Sequence, residues 1–199
     1  MQRLAAVDVE ATCLDPRRCR VVAAALVPVR GSMVDLSSAL YAVALDAHAG
    51  RTALVHGITG GESRVKPNTS IEKLLAEAAN YTLITYGPHD ARLLAAESVR
   101  RGMERTYCYI DILGVLLSNP ARRTEAATRG HYSLEQALQE IVGIETLPRR
   151  LHDPLEDAVY AALLYLALSR QGLRWKTRCV GQKPLLGRLA RKLFRLPHS

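Results

Sequence analysis

The segment Ala5-Ala6-Val7-Asp8-Val9-Glu10-Ala11-Thr12 carries two carboxylates two residues apart. In an extended chain that spacing puts Asp8 and Glu10 on one face. Their neighbours are apolar, so two like charges are held together where burial and mutual repulsion both oppose ionisation. A bound cation resolves the conflict, and so does a strand end that reaches solvent. A second constellation is His152-Asp153-Pro154-Leu155-Glu156-Asp157-Ala158. Asp153 followed by Pro154 reads as a helix N-cap and first helical residue, with Glu156 at the capping-box position. His152 just before the cap and Asp157 on the first turn can then meet at one site from loop and helix, although His152 alone also reads as a surface histidine. Between the two lies Tyr86-Gly87-Pro88-His89-Asp90-Ala91-Arg92, where a strand gives way to a helix. By itself Asp90 reads as a first-turn acid favoured by the helix dipole.

Elements of recognisable period surround these residues. Arg3 to Val9, the Val- and Ala-rich run Arg20 to Val29, and Val34 to Leu45 read as strands, joined by hairpins at Pro16 and Gly31. Thr69 and Ser70 offer an N-cap to Ile71, Leu74, Leu75 and Ala78, which recur at helical spacing. Tyr81 to Tyr86 and Tyr107 to Ile110 read as two further strands, separated by a helix through Arg92 and Leu94 that closes at Gly102. Asp111 caps a helix over 112–117, Ser133 with Gln136 forms a capping box, and Pro154 opens a last helix to about Leu168. Strands first, then strands alternating with helices, predict an α/β fold with a mixed sheet covered by helices.

The chain has 199 residues, enough for one domain with a sizeable core. Hydrophobic residues at 48% and charged residues at 23% exclude a disordered or fibrous chain. The longest apolar run, Ala158 to Leu168, is 11 residues, about half of what a bilayer crossing needs. Asp8 and Glu10 fall where a secretory signal needs its apolar stretch, so the expected compartment is the cytoplasm. The net charge is +8, but nine Lys or Arg and no acid lie from Arg170 onward, leaving 18 basic and 19 acidic residues before it. The expected organisation is a domain over 1–169 followed by a basic appendix over 170–199. The cysteines at 13, 19, 108 and 179 show no zinc-ligand spacing and read as structural or incidental thiols, with no pairing assignable.

Taken in order, Asp8-Val9-Glu10, Asp90 and His152 to Asp157 resemble the three motifs of the DEDDh branch of the DnaQ-like (RNase T superfamily) 3′-to-5′ exonucleases. Val55-His56-Gly57-Ile58-Thr59 is similar to the segment that meets the terminal nucleotide in proteins like the epsilon proofreading subunit of bacterial DNA polymerase III. The resemblance spans about Leu4 to Leu168. It implies a ribonuclease H-like mixed five-stranded sheet flanked by helices. It also implies that Asp8, Glu10, Asp90 and Asp157 are the catalytic carboxylates holding two divalent cations, Mg²⁺ or Mn²⁺, with His152 as general base. Ala11, Thr12 and His56 are the implied substrate-binding residues. A tyrosine branch needs Tyr four residues before Asp157, where this chain has Asp153. Attack of water on a phosphodiester needs a base, neutralised phosphate oxygens and a stabilised leaving oxygen, and a pair of cations about 3.5–4 Å apart supplies the last two. Carboxylates are the hard ligands such cations prefer, and a histidine titrating near neutrality can accept the proton of water. The chain departs from the family pattern at Cys13, where a glycine is usual, and at Tyr86 and His89, where an Asn and an aromatic are usual.

The expected activity is hydrolysis from the 3′ end of single-stranded or frayed DNA, releasing nucleoside monophosphates, with DNA favoured over RNA because of the segment at His56. The alternatives are an exoribonuclease or oligoribonuclease, and a non-catalytic nucleic-acid-binding or polymerase-accessory module. In the appendix, Leu185, Leu189, Leu193 and Leu196 alternate with Arg188, Arg191, Lys192 and Arg195 as a short basic amphipathic helix, suited to nucleic acid, a polymerase or other protein partner, or an anionic membrane surface; a helix folded back on the domain and a disordered end are the alternatives. The loop with Arg122, Arg123 and Arg129 reads as a further phosphate-binding patch or as a merely solvated one.

Overall fold

A computed structural model describes residues 3–44, 66–144 and 153–181. Its centre is β1 (Leu4–Ala11), which pairs antiparallel with β2 (Val21–Arg30) on one side and parallel with β5 (Thr82–Thr85) on the other. β6 (Thr106–Asp111) adds parallel to β5, and β7 (Thr177–Gly181) adds antiparallel to β6. Beyond β2, β3 (Met33–Val34) and β4 (Leu40–Val43) pair with successive parts of that strand, giving a mixed sheet of seven strands. The sheet thus exceeds the five strands expected. The run Val34 to Leu45 divides around a 3₁₀ turn over Leu36–Ser38, where the Asp35 side chain accepts from the Ser38 amide. The second addition, β7, lies inside the stretch 170–199.

Both faces of β1 are covered by apolar cores, as its central position requires. Ala6 joins a core with Val22, Ile84, Ile112, Leu116, Leu138 and Leu164. Val7 and Val9 join a second core with Leu26, Leu74, Leu83, Leu94 and Tyr107. The first face is closed by α3 (Ile112–Leu116), α5 (Leu134–Val142) and α6 (Pro154–Arg170), the second by α1 (Ile71–Ala78) and α2 (His89–Arg100). The expected caps form: Ser70 accepts from Lys73 N, Asp111 from Gly114 N, Ser133 and Gln136 make a reciprocal box, and Asp153 accepts from Leu155 N. Glu156, expected to complete a box at α6, accepts from the Tyr160 hydroxyl at 2.6 Å.

The arginines at 122, 123 and 129 belong to a helix and not to a loop. α4 (Pro120–Arg129) starts with an Asn119 cap and proline in its first turn, and ends at Gly130 with φ 80°. Alanines are its sole hydrophobic residues, so it shows no apolar stripe to announce it. The four cysteines pair as Cys13–Cys19 and Cys108–Cys179. The second bond joins residues 71 positions apart that become partners only through the β6–β7 register.

Candidate active site

β1 delivers two carboxylates to one place by its period of two, with Asp8 and Glu10 on the side of Ala6. Between Glu10 and Ala11 the register with β2 shifts, so the pairing passes from Glu10–Ala23 to Ala11–Val21. Such a bulge re-aims the strand end at which the carboxylates sit. α6 brings the third group: Asp157 lies in its first turn, 5% exposed. Carboxylate oxygens of Asp8, Glu10 and Asp157 all lie within 4.8 Å of one another.

Asp90 comes from the other face of the sheet, in the first turn of α2. The turn from β5 into this helix passes through Gly87 at φ 102°, a conformation side chains rarely tolerate. The preceding Tyr86 fixes the strand end by donating its hydroxyl to the Tyr132 and Ser133 carbonyls, each at 2.9 Å. Asp90 is 8% exposed. Burial pushes its carboxyl well above the ordinary range, and the neighbouring charges of Glu10 and Asp157 push it further; backbone hydrogen bonds from Asp90 and Val9 oppose them. These four groups, drawn from three distant segments, therefore share one electrostatic site. Four acids crowded at the end of a buried strand suit a hard divalent cation, because oxygen ligands of that charge are otherwise mutually repulsive.

Thr12 closes the β1–β2 hairpin: its amide donates to the Arg20 carbonyl at 2.9 Å and its hydroxyl accepts from the Arg20 amide at 3.0 Å. Ala11 is half-buried against the second core. Immediately after Thr12 the Cys13–Cys19 disulfide clips the hairpin loop, with Leu14 84% exposed at its tip. Sequence reading missed this clip; its one signal is that both cysteines flank a single hairpin turn. His56 and His152 lie outside the described residues, as does the segment Val55 to Thr59. His89, half-buried beside Asp90, is held below its ordinary value by burial and then by Arg92.

A central strand with one antiparallel and one parallel neighbour, helices on both faces and acids at its end define the ribonuclease H-like α/β architecture. Within it, the chain has the fold of DEDDh-type 3′-exonucleases. It superposes on the nuclease domain of 3′hExo, a DEDDh family member bound to rAMP, with a TM-score of 0.60 and 13% identity, covering 91% of this chain and 98% of that one. Cell-death related nuclease 4 gives a TM-score of 0.63 at 12% identity, with 89% of this chain and 67% of that one covered. Zinc-bound exonuclease I of E. coli in complex with single-stranded DNA gives 0.63 at 18% identity, with 86% of this chain but 41% of that one. No protein-family profile and no curated protein sequence matches the chain.

Proposed function

We propose that this chain is a divalent-metal-dependent 3′-to-5′ exonuclease that removes nucleoside monophosphates from single-stranded or frayed ends. The observation that carries the reading is the convergence of Asp8, Glu10 and Asp157, with Asp90 beside them, on a fold shared with 3′-exonucleases. Asp8, Glu10, Asp90 and Asp157 would hold the cation or cations, Mg²⁺ or Mn²⁺. When bound, these ions neutralise phosphate charge and stabilise the leaving 3′ oxygen. The chain's own residues do the rest. β1 holds two acids at fixed spacing, α6 and α2 close on them from opposite faces, and the hairpin at Ala11 and Thr12 abuts the place where the terminal nucleotide would lie. His152, directly before the α6 cap, is the proposed acceptor of the proton of water. His56 is the proposed contact to the terminal nucleotide, and it is the basis for favouring DNA. RNA is the second reading, favoured by the neighbour that binds rAMP.

The test is an end-labelled assay on matched DNA and RNA oligomers with Mg²⁺ or Mn²⁺. A 5′-labelled strand should give a descending ladder, faster for DNA. Immediate release of the labelled 5′ nucleotide would contradict attack at the 3′ end. Absence of metal-dependent hydrolysis on both polymers would remove the enzymatic reading and leave a binding module.

A further inference from the structure

The pairing registers tie the two ends of the sheet together. Ala6 of β1 pairs with Ile84, Ile84 with Ile110, and Ile110 with Thr177, so these four residues form one row across the sheet. Asp8 lies two residues beyond that row on β1. Lys176 lies one residue beyond it on the approach to β7, at the same end of the sheet. Three strand spacings of about 4.8 Å set their backbone positions roughly 14 Å apart across the sheet.

The approach to β7 is built with an alternation. Leu173 and Trp175 turn inward against the core of α6; the Trp175 ring lies 4.9 Å from Tyr165 and its Nε1 donates to Ser169 Oγ at 3.0 Å. The residues between and after them, Arg174, Lys176 and Arg178, are exposed. With Asp111, Ser118 and Leu173 they line an open pocket of about 370 Å³ beside α3. The carboxylate among them, Asp111, is engaged in capping Gly114 N at 2.8 Å and approaches Arg178 at 3.8 Å. The cations are therefore in excess, and they stand on a rigid support: Trp175 anchors one side and the Cys108–Cys179 disulfide fixes β7 to β6.

From this geometry we propose that the pocket formed by Arg174, Lys176 and Arg178 binds phosphates of the single-stranded substrate on the 5′ side of the reacting end. This rests on the exonuclease reading for its polarity, and its chemistry is that of a backbone site. Cations on a fixed edge engage phosphates irrespective of base, position the strand, and carry no sequence information. A strand whose 3′ end meets the carboxylates reaches this pocket only when it extends beyond its terminal nucleotide, so the site favours oligomers over mononucleotide-sized substrates.

The experiment compares wild type with the triple variant Arg174→Gln/Lys176→Gln/Arg178→Gln. All three positions are exposed, and an unchanged melting temperature checks folding. Binding of a fluorescein-labelled single-stranded oligonucleotide is followed by anisotropy in EDTA, where no hydrolysis occurs, over a salt series. The variant should bind about tenfold or more weakly, and the log–log salt slope should shrink by about 2, as expected for three lost phosphate contacts to a single strand. With metal, KM on a long oligonucleotide should rise about as much while kcat stays within about twofold, and hydrolysis of a nucleotide p-nitrophenyl ester should be unchanged. Unchanged affinity and unchanged salt slope overturn the proposal. If wild type hydrolyses nothing yet the binding difference appears, the exonuclease reading fails and the phosphate site stands.

Discussion

Asp90 is a carboxyl group that the protein discourages from ionising, through burial first and then through Glu10 and Asp157. Because its folded-state value is raised, the folded chain holds that proton more tightly than the unfolded chain does. The associated stability is complete at acid pH and is lost as pH rises from about 4 toward the raised value. The metal-free protein should therefore lose thermal stability over that interval, Asp90→Asn should show a flatter profile, and adding Mn²⁺ should stabilise wild type at high pH more than the variant. A melting series with and without EDTA checks this; identical slopes in the two proteins would remove Asp90 from the crowded site. Asp8→Ala should retain the fold and lose metal-dependent hydrolysis, since it removes a ligand and relieves repulsion together. His152→Ala should slow the chemical step by roughly two to four powers of ten and remove the acidic limb of the pH–rate profile; a retained limb would assign the base elsewhere. The acids were legible in the sequence because a period of two and a first helical turn fix where side chains go. Their closeness to Asp90 followed from the family resemblance and not from any local pattern, because it depends on two helices meeting from opposite faces.

Among the elements, α2 is tied to the sheet by Glu97. Its carboxylate is fully buried and accepts from Arg101 Nε at 2.8 Å, Arg100 at 3.0 Å, Arg20 at 3.3 Å and the Val21 amide at 3.4 Å. Burial raises this carboxyl, but the hydrogen bonds from Arg20 and Arg101 with the Arg20 charge outweigh it and hold the group below its ordinary value. Its stabilisation is thus present at neutral pH and lost as pH falls through the lowered value, opposite in sign to Asp90. Glu97→Ala leaves three arginines around an empty centre and should cost about 2–3 kcal/mol, at the lower end for a buried pair because the arginines are partly exposed. Urea unfolding at pH 7 and pH 3 measures it, and the deficit should narrow at the lower pH. Elements that carry their own punctuation were legible: the caps at Ser70, Asp111, Ser133 and Asp153 all form. α4 lacked an apolar stripe, and β7, whose Thr-Arg-Cys-Val-Gly reads as polar, becomes a strand only because β6 has an edge to offer.

At the scale of the whole molecule, the placement of β7 changes how the basic C-terminal stretch must be dissected. A cut before Gly172 removes a strand and a disulfide partner with the charge, so it should lower stability as well as affinity; a chain ending at Gly181 keeps β7 and isolates what 182–199 contribute. Comparing the melting temperatures and salt slopes of the two truncations separates the roles, and equal melting temperatures would show that β7 does not support the domain. The two disulfides bear on the compartment as well, since cytosolic thiols are ordinarily kept reduced. Protein purified without reductant and then denatured should present no reactive thiol, and four after reduction. The Cys108–Cys179 bond has one more consequence. It makes everything from β6 to β7 a covalent ring that contains α3, α4, α5, α6 and Asp157, whereas Asp8, Glu10 and Asp90 stand on the open thread outside it. Closing a loop of that length is worth about 4 kcal/mol on the chain-entropy account. A protease that cleaves one peptide bond anywhere within the ring cannot divide the molecule: the nicked chain should migrate as one band on a denaturing gel and fall into two only when reductant is added.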